Sequence, residues 1–238
     1  MIMTLLNPLL NFSDAPLFDQ ILPEHVSPAV DVLLADAQAA LDKVTASDFP
    51  ANWNSISAVL DVATEKLSRA WGAVSHLNAV VDTPELRAAY NAALPVITEF
   101  YTRLGADERL YAKYKAIVVG TLNAEQQQAH KNAMRNFVLS GAELVGAAKE
   151  RYAKVQERQA ELSQKFSENA LDATDAFAYY ASVSELAGVP HDVLETAREL
   201  AKTEGKDGYK LTLKMPSSLP VMQFADRKST RLNSSHRR

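Results

Sequence analysis

Cysteine is absent from all 238 residues. That excludes a disulfide framework, a thiolate zinc site and a cysteine nucleophile, and it fits a reducing, cytoplasmic setting. Glycine is scarce, with 8 in the chain, so backbones that need repeated left-handed turns are not expected. There is no GxSxG, no P-loop and no GxGxxG, which removes the familiar nucleophile elbow and phosphate cradles. No apolar run is long enough for a membrane span. The opening MIMTLLNPLLNF lacks a basic leader and is broken by Asn7, Pro8 and Asn11, so it reads as neither signal peptide nor anchor. No cluster of Lys and Arg marks a nucleic-acid face either.

What is present is a globular composition, 47% hydrophobic and 23% charged, with apolar residues recurring at spacings of three and four. This pattern predicts an all-α fold of long antiparallel helices with one short strand. Ser27 and Pro28 read as the start of a helix with the stripe Val30, Leu34, Ala37, Leu41 and Val44. The clearest stripe is Trp53, Ile56, Leu60, Ala63, Leu67, Ala70, Val74, Leu77 and Val81. Thr83-Pro84-Glu85 then turns the chain into a second helix carrying Leu86, Tyr90, Ala93, Ile97, Phe100 and Leu104. So short a turn makes the two helices antiparallel. Pro95 sits inside the second.

A shorter helix with Leu110, Tyr114 and Ile117 comes next, and Asn123 with Gln126 opens another as a capping pair, its face being Met134, Phe137, Val138 and Gly141. Tyr152, Val155, Leu162 and Phe166 predict a further long helix, with Glu161 and Lys165 paired on its exposed side. Ser182 and Glu185 cap a short turn ended by Gly188, and Pro190 starts a helix to about Lys202. The alternation of Tyr209, Leu211, Leu213 and Met215 predicts the single strand, over 209–215, closed by Pro216. Nothing divides the first 225 residues into domains, and Gly205 to Gly208 is the expected hinge.

Candidate chemistry is thin. His25, His76, His130, His191 and His236 include no pair four residues apart, so HExxH is absent, and a surface or capping role is expected for each; His76, beside Val74 and Leu77, is expected to bond a neighbouring helix. Asp172 and Asp175 share one turn but read as a solvated face. Trp53, Trp71, Tyr90 and Phe166 read as core packing. No residue is nominated as catalytic, cofactor-binding or metal-ligating.

Several segments are too particular to be generic helix: WGAVSHLNAVVDTPELRAAYN (71–91), NPLL (7–10), ILPEHVSPAV (21–30), ELSQKFSENALDATDAF (161–177) and GYKLTLKMPSSLPVMQFAD (208–226). Together they resemble the thimet-oligopeptidase family of zinc metallopeptidases. That resemblance implies residues 1–226 as the N-terminal helical region of a two-lobed metalloendopeptidase, forming one wall of a channel that admits short peptides. It also implies a zinc held by an HExxH helix and a downstream Glu, with a metal-activated water attacking the peptide bond, all in a C-terminal catalytic region missing here. This chain itself is then expected to be inactive and to bind no zinc. Ser218, where the family usually has an aromatic, departs from the pattern and puts local packing in doubt. The alternatives are a dipeptidyl carboxypeptidase of the same family and a non-catalytic helical binding module.

After Ala225 the pattern breaks. DRKSTRLNSSH, from Asp226 to His236, matches the in-frame translation of a common sequencing adapter, so 227–238 is expected to be a non-native basic tail. Five of the 25 basic residues and none of the 29 acidic ones lie there, which leaves the rest at −9 instead of −4.

Overall fold

The structure is a computed structural model, and it describes residues 7–226. The tail at 227–238, with His236, lies outside the described residues. Contacts gather the chain into two units, Met1–Glu161 and Leu162–Arg238. The division falls inside a helix, where neither composition nor glycine content marks it.

In the first unit, α1 runs Pro23–Thr45, then α2 Trp53–Ile56, α3 Val62–Val80, α4 Pro84–Gly105, α5 Glu108–Lys115 and α6 Ala124–Leu139. α1 begins five residues before the expected Pro28 start, so Pro28 lies inside it. The start moves because His25 Nδ1 accepts the Leu22 N–H at 3.1 Å, capping an end that Pro23 already favours. Pro28 forfeits one bond near an end where bonds are cheapest to lose.

α2 and α3 are joined by a π-turn, Ser57–Asp61, so the expected helix from Trp53 runs on with one wide turn. Asp82, at φ 46°, makes the tight reversal, and its carboxylate holds Arg87 one turn into α4. Thr83 Oγ1 accepts the Leu86 N–H to cap that helix, as TPE predicts. α1, α3 and α4 bury Val26, Leu33, Leu67, Val74, Ile97 and Phe100 against one another. Trp71 and Tyr90 stack at 4.5 Å and 15° beside this core. A second core gathers Leu41, Val44, Ile56, Leu60, Tyr111, Tyr114 and Phe137. On α6, Phe137 is buried as expected, but Val138 is exposed.

α7 spans Ala147–Ala176. Its existence agrees with the sequence stripe, but the expected burial does not occur: no residue of the helix is buried. Val155, Leu162 and Phe166 are 41%, 47% and 75% exposed, so the reading of Phe166 as core packing is corrected. Periodicity defines an apolar face without stating what covers it.

In the second unit, β1 (Tyr179–Ala181) pairs antiparallel with β2 (Tyr209–Leu211), Tyr180 opposite Lys210. α8 is His191–Thr203 and α9 is Met215–Phe224. The expected strand at 209–215 is therefore halved. Ser217 Oγ accepts the Thr212 N–H at 2.9 Å, bending the chain so that Met215 and Pro216 open a helix instead of closing a strand. Ser218, inside α9, bonds back to the Lys214 carbonyl at 3.2 Å. A small core of Ala181, Leu186, Val189, Ala197, Leu211 and Val221 closes the unit. Gly188, at φ 89°, lets the Phe224 carbonyl enter the space that a Cβ would fill, so only glycine fits there.

Candidate functional site

A concavity lies in the first unit, at the end of α4, the start of α5 and the first turns of α7. Asp107 is the N-cap of α5, accepting the N–H groups of Arg109 at 2.8 Å and Leu110 at 3.0 Å. The Arg109 guanidinium folds back to the same carboxylate at 2.8 Å and reaches Asp42 at 3.5 Å. Burial works to raise the Asp107 pKa, but the bonds from the Arg109 side chain and from the Leu110 and Arg109 backbone outweigh it, holding the carboxyl below its ordinary range. Lys149 of α7 meets Glu108 at 2.6 Å. Arg103 of α4 donates to Gln38 at 2.9 Å.

Arg103, Asp107, Glu108, Arg109 and Lys149, with Tyr152, Ala153 and Glu157 from α7, line an open groove of about 540 Å³. Each of its cations is engaged by an acid or an amide, and it contains no nucleophile beside a base. The arrangement can bind polar groups but offers no general acid or base poised for transfer. Sequence reasoning misses the groove because it forms where the α4–α5 junction, Glu99 to Arg109, meets the first turns of α7, a helix distant from it in the chain; Asp107, two residues before an amphipathic turn, is readable only as a cap.

The described histidines do not assemble. His25 caps α1. His76 rests against Phe18, ring centres 5.3 Å apart. His130 is buried, its Nε2–H donating to the Tyr114 carbonyl at 2.8 Å, which ties α6 to the end of α5. His191 is exposed beside Glu195 at 3.7 Å. Tyr114, stacked on His130, is pushed up to about 12 by burial and by Asp61. Asp175 pairs with Lys214 at 3.1 Å, and Asp172 lies on the exposed side of α7. Among the described residues no three of His, Cys, Asp and Glu gather as metal ligands, and no helix is long and apolar enough to cross a membrane.

Comparison with known proteins supplies what this geometry does not. The family model described as "Neurolysin/Thimet oligopeptidase, N-terminal domain" matches residues 30–151, just over half of the chain. The chain is 40% identical over 230 residues to oligopeptidase A of Salmonella typhimurium, covering 94% of this chain and 34% of that protein. It is 34% identical over 237 residues to a probable cytosolic oligopeptidase A of Arabidopsis thaliana, again covering 94% and 34%. To the dipeptidyl carboxypeptidase of Escherichia coli it is 25% identical over 215 residues, covering 86% and 31%. It thus spans about a third of the length of these relatives.

Proposed function

From a chain that belongs to the neurolysin/thimet oligopeptidase family and corresponds to the N-terminal portion of its members, we infer a whole protein that is a zinc-dependent oligopeptidase cleaving short peptides. The observation that carries this is the 40% identity to oligopeptidase A, maintained along 94% of the chain. The weaker match to dipeptidyl carboxypeptidase, at 25%, ranks that reading second. The exposed α7 face favours a third reading, a helical binding module, because it offers surface and no chemistry.

Residues 7–226 do not fit a zinc site, since the four histidines stand apart and each has a local role. No catalytic step is therefore assigned to this portion. Its role is structural: long helices forming a wall, with a polar groove at the α4–α5–α7 junction suited to hydrogen-bonding groups. The HExxH region belongs to sequence beyond residue 226, the compartment is the cytoplasm, and 227–238 is a tail foreign to the protein.

One experiment tests the peptidase reading. The gene is read past the Ala225 codon, and the 238-residue chain is compared with the extended product for zinc content and hydrolysis of a quenched fluorescent peptide. The extended product is expected to contain HExxH, bind about one zinc per chain and cleave the peptide, while the short chain does neither. A natural stop after Arg238, or a tightly held zinc in the short chain, sinks the reading.

A further inference from the structure

We propose that the second half of α7, residues 163–176, is a built-in joint: a helical stretch that opens and recloses while the cores of the molecule stay shut. The stretch lies wholly within the second unit, yet it takes no part in that unit's core. Among the described residues, none from α7 belongs to any of the three cores or packs against one. Helices in proteins are held mainly by an apolar face pressed on a neighbour, and a piece of about 12–15 residues without that support is marginal in water. What 163–176 has instead is polar. Gln164 donates to Glu168 at 3.0 Å within the helix. Lys214 meets Asp175 at 3.1 Å with both side chains exposed, a kind of pair that adds little.

The two halves of α7 are built differently. Residues 147–162 are Ala, Lys, Glu, Arg, Gln and Leu with only Tyr152 and Val155 among the weaker helix formers, and Lys149 ties their first turn to Glu108 at 2.6 Å. Beyond Leu162 come Ser163, Phe166, Ser167, Asn169, Asp172, Thr174 and Asp175, each of which lowers helix propensity. Two of these hydroxyls turn back on their own helix. Ser167 donates to the Ser163 carbonyl at 3.1 Å and Thr174 to the Ala170 carbonyl at 2.7 Å, a bonding pattern that slightly loosens the backbone ladder. The last turn holds no basic residue, while Asp172 and Asp175 set negative charge near the negative end of the helix dipole. Packing, propensity and end charge thus weaken the same stretch. Opening it costs the enclosed side chains of the three cores nothing, so it is the place where the chain can change direction without unfolding.

This joint stands independently of the peptidase reading. Native-state hydrogen exchange on the full 238-residue chain, read by mass spectrometry of peptic fragments, tests it. Amides of 163–176 are expected to exchange about 100-fold or more faster than those of α3 around Leu67 and Val74, with 147–162 slower than 163–176. Combining Ser163→Ala, Ser167→Ala and Asn169→Ala raises helix propensity without touching a core, and should slow exchange at 163–176 about 5- to 15-fold while leaving α3 unchanged. Ser167→Gly should hasten it about two-fold, again at 163–176 alone. Protection of 163–176 equal to that of α3, opening that begins in 147–162, or exchange indifferent to the triple substitution overturns the proposal.

Discussion

α3 and α7 carry the same kind of pattern and meet opposite fates. On α3, Leu67 and Val74 are fully enclosed and Ala70 and Ala73 nearly so, because α1 and α4 lie along its stripe. On α7, a longer helix with apolar residues at the same spacing, nothing is buried. The difference lies in the connection that leaves each helix. Asp82 and Thr83 fold α4 straight back onto α3, whereas the chain after α7 enters β1 at Tyr179 and builds a small core of its own. An amphipathic stripe is a demand for a partner, and only a short reversal guarantees that the partner is the next helix.

The comparison is sharpest when equivalent truncations are made on both helices. Leu67→Ala should cost about 2–5 kcal/mol, since a fully enclosed leucine leaves a cavity, while Phe166→Ala should cost under about 0.5 kcal/mol. Urea titration monitored by circular dichroism measures both, and equal losses would erase the contrast.

If the second unit is held by close backbone approach more than by bulk burial, its weak point is Gly188. Adding a methyl there meets the Phe224 carbonyl and demands a left-handed alanine, so Gly188→Ala should cost about 1–3 kcal/mol. Hydrogen exchange should show the loss at Phe224 to Asp226 and not in α3. A variant as stable as the parent would mean that the approach relaxes freely.

In the first unit, Asp107→Ala removes the cap of α5 and should cost about 1 kcal/mol. Its carboxyl is held below the ordinary 3.8, so the folded state binds that proton less readily than the unfolded chain does. The stabilisation is full above the unfolded value and fades as pH falls through the lowered folded value. The variant should therefore differ from the parent at neutral pH and converge with it in strong acid; a gap that widens on acidification would contradict the cap. Smallest of all, Glu65→Ala, exposed on the outer side of α3, should change stability by less than about 0.5 kcal/mol.

Much of the helical order is legible in the sequence because its signals are local. Thr83-Pro84, the Asn123–Gln126 pair and the Ser182–Glu185 pair all cap where their spacing says they should. The failures are those in which a distant or subtle partner decides. The alternation at 209–215 is real, yet one hydroxyl, Ser217, ends the strand at Leu211. The partner strand at Tyr179 has too few residues to show a period. Phe166 reads as core because sequence cannot say whether a face is covered. The groove around Asp107 is invisible for the same reason, being made by three helices meeting in space, and the family resemblance, which lies in wording and not in periodicity, points to an activity that these residues do not themselves perform.

The two tryptophans are placed so that light can tell the parts of the molecule apart. Trp71 packs against the core of α1, α3 and α4, Trp53 against the core built with α5 and α6, and the stretch from Leu162 onward has none. Replacing either indole by phenylalanine leaves an emission spectrum that watches a single core melt. The unit that begins at Leu162 can come apart unseen by that signal, so a fluorescence melt and a circular dichroism melt that disagree would report its separate unfolding.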